Sequence, residues 1–399
     1  MNYKRFLEVS KEFWNQYLDR IFELYSQGLI ITKDEDGVVC KTEMLFPTIL
    51  LLTETKHFFL TELIGAKKIF EGLIIKGHKE TSIERYFNQF NSNNPNFLFK
   101  IADNNTFSKI CLSGTAELEN LKSRFPAINL LKSFLITSKS ELEYSPFKFD
   151  NNSNFFVVRN SLLINKCKNF FRAKYVLHAT AIQKSTSGLE YNRWLKEKIY
   201  SEIQGVHSVD SIKAEDFAVA SQFTNTYLMT GLRETTIGEF LKLHPEIIER
   251  GLKTQKFIYE PYLPWIEKTP ENSDSAINPD LMIERADGFY DIYDLKTALL
   301  DRNLTRGERK RRRFVDYVQE GIAQLANYAE YFTFSQNCDY AFRKYGIKVE
   351  QPNLVLVVGH FDNANVTEIE EARRQLKDIN IIDYDSFLQL FLLSNNQSQ

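Results

Sequence analysis

Two aspartates and a lysine on either side of position 288 carry the most definite chemistry in this chain of 399 residues. Asp280 opens and Asp294-Leu295-Lys296 closes a stretch centred on Asp287-Gly288, a strong hairpin-turn signal. The arms on either side are rich in aliphatic and aromatic residues, as strands are. Alternation along the second arm puts Tyr290, Ile292, Asp294 and Lys296 on one face. The hairpin then brings Asp280 beside the end of that arm, so two carboxylates and one ammonium meet at one end of the sheet. Paired carboxylates repel, and a hard divalent cation relieves the repulsion. Mg²⁺ takes oxygen ligands and keeps several waters, so it polarises a phosphate and lowers the pKa of an attacking water. A nearby lysine orients that water or stabilises the charge that develops on a phosphorane-like transition state. The chemistry this set serves is metal-dependent phosphodiester hydrolysis.

An acid-x-Lys triplet alone says little, because Glu54-Thr55-Lys56 and Glu308-Arg309-Lys310 share the form. Only Asp294-Leu295-Lys296 ends an expected strand with a Pro-Asp pair, Pro279-Asp280, one hairpin arm upstream. The competing reading is an edge hairpin with a surface ion pair. Downstream, 314–334 has helical periodicity, and Gln324 and Tyr328, four apart, share a face. They can reach a phosphate or hold the lysine in place, or they belong to an ordinary amphipathic helix. Ala323, Ala326 and Ala329 suit this helix to close packing. Between hairpin and helix, Arg302, Arg306, Arg309, Lys310, Arg311, Arg312 and Arg313 are accompanied only by Asp301 and Glu308. This run is the best candidate for phosphate contacts. A solvated loop, or pairing with the acidic surface of a neighbouring subunit, accounts for it about as well.

The flanking pattern supplies the elements that must hold these groups. Thr235 or Thr236 can cap a short helix, Ile237 to Leu243, which Pro245 interrupts or restarts. Residues 256–263 form a candidate strand. Near the start, Phe6, Val9, Phe13, Tyr17, Leu18, Ile21, Leu24 and Tyr25 predict an amphipathic helix over 3–27, ended by Gly28. Asp34-Glu35-Asp36-Gly37 reads as a turn between strands 29–32 and 38–41. Asn-rich breaks fall at 91–96 and 103–105, and a softer one at 149–154 precedes a strand pair, 155–159 and 161–164. Helices follow at about 189–204 and 213–229. His57, His78, His178 and His207 have no partner at metal-ligand spacing, and Cys40, Cys111, Cys167 and Cys338 form no CxxC pair. The cysteines read as reduced thiols of a cytosolic protein.

Composition bounds the rest. A hydrophobic share of 43% supports a real core and excludes a disordered chain. The net charge of −2 gives no global pull toward nucleic acid or membrane, so any polyanion site is local. The N-terminus lacks an apolar signal-peptide core. The best apolar stretch, Met44 to Leu63, is broken by Glu54, Lys56, His57 and Glu62, so no membrane span is expected.

Taken together, Pro279-Asp280, the hairpin and Asp294-Leu295-Lys296 resemble the PD-(D/E)xK nuclease core. Gln324-x-x-x-Tyr328 resembles the extra motif of its RecB-like branch. The segment Ile237-Gly238-Glu239-Phe240-Leu241-Lys242-Leu243-His244-Pro245 resembles the first core helix of the Shedu-type antiphage nucleases. Leu354–His360 and Ile381–Leu388 resemble the strand and the strand-to-helix turn that close that domain. The resemblance covers about 236–392 and does not extend to residues 1–210. It implies that Asp280 and Asp294 bind the metal with the backbone carbonyl of Leu295, and that Lys296 acts on the nucleophilic water. It further implies Glu239 as the outer carboxylate, with Glu246 an alternative because Pro245 moves the register, and Gln324 and Tyr328 as supports.

The expected architecture is therefore α/β. A C-terminal restriction-endonuclease-like PD-(D/E)xK domain over 211–399 has a central mixed sheet flanked by helices. A mixed α+β N-terminal region over 1–210, with a break near 150, senses or restrains it. The expected activity is Mg²⁺-dependent cleavage of DNA, phage DNA in the first place, with Mn²⁺ as a substitute and Arg306, Arg309, Lys310, Arg311, Arg312 and Arg313 on the nucleic acid. The resemblance adds a cytoplasmic homo-oligomer. The alternatives are a nuclease acting on RNA or branched DNA, and a catalytically silent nucleic-acid-binding module.

Overall fold

The computed structural model describes residues 1–30, 42–83, 154–167, 170–200, 202–209, 212–228, 234–270, 272–299, 302–360, 363–374 and 379–394, with short pieces between them. The chain divides into two compact units, Met1–Gly231 and Leu232–Gln399. No helix among the described residues is long and apolar enough to cross a membrane. The turn expected at 34–37 and the breaks at 91–96, 103–105 and near 150 lie outside the described residues.

In the N-terminal unit, helix α1 spans Tyr3–Ser26, and the Asn2 side chain accepts a hydrogen bond from the Arg5 amide to start it. Its apolar stripe (Phe6, Val9, Phe13, Trp14, Tyr17, Leu18, Ile21) is buried, as the spacing predicts. The stripe packs on a mixed sheet built around β1 (Ile49–Glu54), β2 (Phe58–Ile64), β3 (Ile74–Lys79), β4 (Phe155–Cys167) and β5 (Phe170–Gln183), in the order β3-β1-β2-β5-β4. Leu50, Leu52, Phe59, Leu63 and Leu177 meet it there. The expected strand pair 155–159 and 161–164 is one strand. Asn160 takes φ 45°, which asparagine tolerates, and the antiparallel register with β5 runs through it, from Arg159↔His178 to Ser161↔Val176. Helix α2 spans Gly188–Ile199 and α3 spans Ile212–Tyr227. The latter belongs to this unit, not to the C-terminal domain as a boundary at 210/211 implies. Its Asn225 side chain exchanges hydrogen bonds with the backbone of Tyr175 on β5.

The C-terminal unit is a five-stranded mixed sheet with helices. Helix α4 spans Glu234–Leu243, and α5 spans Pro245–Gly251, with Pro245 at its first position where a missing N–H costs nothing. The strands are β6 (Phe257–Tyr259), β7 (Leu281–Glu284), β8 (Tyr290–Leu295), β9 (Leu354–Val357) and β10 (Ile379–Ile382), ordered β6-β7-β8-β9-β10. The β6–β7 and β7–β8 pairs are antiparallel, while β8–β9 and β9–β10 are parallel. The expected strand 256–263 splits, because Leu263–Pro264 leaves the sheet to pair with Ala276–Ile277.

Helix α6 (Asp316–Tyr331) lies over β8 and β9. Its Val318, Ile322, Leu325 and Tyr328 share a buried cluster with Met282, Tyr290, Ile292, Leu354 and Leu356. Each such side chain contributes about 1.5–3 kcal/mol on burial, which fixes the helix on the face that carries Asp294. Helix α7 (Ser335–Tyr345) ends at Gly346 in the left-handed region, and α8 spans Val366–Arg373. Helix α9 (Tyr384–Leu393) starts where the Asp383 side chain accepts from the Ser386 amide, and it packs on α5.

Candidate active site

The hairpin turn sets the register that brings the acids together. Gly288 takes φ 83°, and Asp287 accepts from the Phe289 amide. Leu281 then faces Tyr293, and Met282 faces Ile292. Continued by one residue, this pairing sets Asp280 opposite Asp294. The Leu295 amide donates to Asp280 Oδ2 at 2.6 Å, which closes the open end of the hairpin. Lys296 follows on the same face as Asp294, and its Nζ stands 2.7 Å from Asp294 Oδ2. Asp294 and Lys296 are 2% and 6% exposed, so this is no surface ion pair.

The electrostatics follow from that burial. Burial and the neighbouring Asp294 push the Asp280 carboxyl up to about 7, against the opposing effect of the Leu295 amide and Lys296. Burial pushes Asp294 up to about 6, although Lys296 draws it down. Burial alone would lower the pKa of the lysine. Asp294 outweighs it, with help from Glu234 and Asp280, and holds the ammonium above its usual value.

The carboxylate that α4 sets beside the lysine is Glu234, with Oε2 at 3.9 Å from Lys296 Nζ. Glu239, expected in that place, lies five residues further along the helix, and its charge bears on the Tyr259 hydroxyl. Glu246 is engaged by His244, Oε1 to Nδ1 at 2.9 Å. Glu234 escapes the sequence because the threonines at 235 and 236 suggest a later helix start. The helix in fact begins before them, with Thr236 buried inside it.

Helix α6 presents Gln324 and Tyr328 to the same end of the sheet. The Tyr328 hydroxyl is raised by burial and then by the charges of Asp294, Asp280 and Glu234. Gln324 Oε1 is buried with no partner among the described residues. The small residue at the closest approach is Gly321, not one of the alanines. A Cβ there would stand 2.8 Å from Leu356 Cδ1 and 3.3 Å from Lys296 Cε. Ala323 and Ala326 are exposed.

The basic run forms a separate hairpin, Thr305–Arg306 paired with Arg313–Phe314 around a short turn at Arg309–Arg311. Two of its cations are committed. Arg306 binds Asp316 at 2.5 Å, and Arg312 bridges Glu368 and Glu371 of α8 at 2.9 and 2.8 Å. Arg309, Lys310, Arg311 and Arg313 are exposed, with no acidic partner among the described residues.

No cluster of three or more His, Cys, Asp or Glu side chains suited to a metal occurs among the described residues. The donor set at the hairpin is two facing carboxylates, which the structure leaves mutually repelling. Such a set suits a cation that draws its other ligands from water and substrate, as Mg²⁺ and Mn²⁺ do, and does not suit a closed zinc site.

The C-terminal unit is thus a mixed α/β fold with the buried Asp294 and Lys296 and the half-buried Asp280 at one end of its sheet. Residues 231–388 match the family model described as Shedu protein SduA, C-terminal, so that region is similar to this family. No curated protein matches the chain.

Proposed function

We propose that this protein is a Mg²⁺-dependent DNA endonuclease of antiphage defence, with a C-terminal domain of the PD-(D/E)xK type. The observation that carries the reading is Asp280 opposite Asp294 with the Lys296 ammonium 2.7 Å from Asp294. The match to the Shedu family model supports it independently. Asp280, Asp294 and the Leu295 carbonyl would hold Mg²⁺ or Mn²⁺, which when bound lowers the pKa of an attacking water and neutralises charge on the phosphate. Lys296, held charged, donates to the water or to a phosphate oxygen. Gln324 has a buried acceptor to spend on the same water, and the charges of the acids bear on the Tyr328 hydroxyl. Arg309, Lys310, Arg311 and Arg313 would grip the DNA backbone. The reading includes a cytoplasmic homo-oligomer in which residues 1–231 sense or restrain the nuclease.

The test is cleavage of supercoiled plasmid, linear duplex, single-stranded DNA and RNA by wild type and Lys296→Ala, with Mg²⁺ or EDTA. Mg²⁺-dependent DNA cleavage lost in the variant is the expected result. Preference for RNA, or equal cleavage by the variant, would reject the assignment.

A further inference from the structure

The peptide bond that follows Lys296 is held at both ends by tyrosine hydroxyls from different helices. Tyr384, the first residue of α9, donates to the Lys296 carbonyl at 2.6 Å. At the other end, the Thr297 amide donates to the Tyr317 hydroxyl at 2.9 Å. Tyr317 sits in the first turn of α6, and its hydroxyl also donates to Glu234 Oε1. A phenol has one proton, and Glu234 takes it, so the contact with Thr297 Oγ1 at 3.0 Å has the threonine as donor. One donated and two accepted bonds fill the hydroxyl. It therefore has nothing left for a metal, a water or a substrate.

We propose that Tyr317 is a positioning residue. Through one oxygen it couples the carboxylate of Glu234 on α4 to the peptide plane that roots Lys296, so that the third carboxylate and the ammonium hold one arrangement around the acid pair. This rests on the endonuclease reading and adds to it a residue that no motif contains. Phenylalanine at 317 keeps the ring but frees Glu234 to turn away and leaves the Thr297 amide without its acceptor. Partners that orient a ligating group typically control about tenfold or more in metal affinity or activity.

The experiment is Mn²⁺ titration by calorimetry, with steady-state cleavage in parallel, on full-length wild type, Tyr317→Phe, Glu234→Ala and the double variant. Tyr317→Phe is expected to bind Mn²⁺ about tenfold more weakly and to lose kcat by at least as much, with KM for duplex DNA unchanged. The double variant should lose less than the product of the two single losses, because both changes break the Tyr317–Glu234 bond. Wild-type Mn²⁺ affinity and kcat in Tyr317→Phe, or losses that multiply in the double variant, would overturn the inference. Should Tyr317→Phe fail to fold, Glu234→Ala breaks the same connection, and wild-type values there would overturn it equally. A wild type that binds no Mn²⁺ would overturn the endonuclease reading as well, whereas an unaffected Tyr317→Phe would overturn this inference alone.

Discussion

Asp280 and Asp294 are an expensive pair to fold. Both carboxyls titrate higher in the folded chain, about 7 and about 6, than their ordinary 3.8. A carboxyl raised on folding favours the folded state when protonated, and that advantage disappears as pH rises through the folded value. The cation-free protein should therefore lose Tm between about pH 4 and pH 7 from this pair, and Ca²⁺ or Mg²⁺ should raise Tm more at pH 8 than at pH 5. Asp280→Asn should flatten that pH dependence, since its amide oxygen can still accept from Leu295. A thermal-shift series over pH with and without the cation checks both statements. An equal cation effect at the two pH values would mean that the acids are not the binding site. The pair was legible in the sequence because an Asp-Gly turn fixes register and alternation fixes face. Glu234, Tyr317 and Tyr384 were not legible. Each acts through contacts 62 to 88 positions away in sequence, and no local spacing announces such contacts.

At the scale of elements, the site depends on how closely α6 can approach the sheet. Gly321 permits it, whereas Ala323 and Ala326 are exposed and Ala329 packs at the edge of the core. Gly321→Ala should cost about 1–3 kcal/mol by overpacking against Leu356, and it should reduce cleavage beyond what the lowered Tm explains, because the added methyl meets Lys296 Cε. Chemical denaturation beside a kcat measurement separates the two. The basic hairpin divides likewise. Removing Arg309, Lys310 and Arg311 together should weaken duplex binding and reduce the slope of log K against log salt by about 0.9 for each phosphate that is no longer neutralised. Arg312→Ala should instead loosen the hairpin from α8 and speed its proteolysis, since that guanidinium is tied to Glu368 and Glu371. An unchanged salt slope in the triple variant would show that the tip does not touch DNA.

Over the whole molecule, two units with separate cores divide the chain near residue 231. The mixed α/β character of the C-terminal unit could be read from sequence because its Asp-Gly hairpin is a local signal, and the resemblance placed the strand at 354–360 and the turn at 381–388. The N-terminal sheet could not. It pairs β5 with β2, more than a hundred residues earlier, and Asn160 imitates a strand break while only changing φ. The proposed nuclease would share a cell with a genome it could cut, and the N-terminal unit is the part of the chain proposed to restrain it. Deleting residues 1–231 should raise basal cleavage by the remaining folded unit. Unchanged or lost activity in a folded truncation would count against restraint.

The most direct test of the account is single-turnover cleavage of duplex DNA by wild type and Lys296→Ala under saturating Mg²⁺. The account predicts cleavage that needs Mg²⁺ and falls by at least a hundredfold in the variant, with DNA binding retained, in line with the loss of one pre-organised charge-stabilising donor. Equal rates in the two proteins would contradict it.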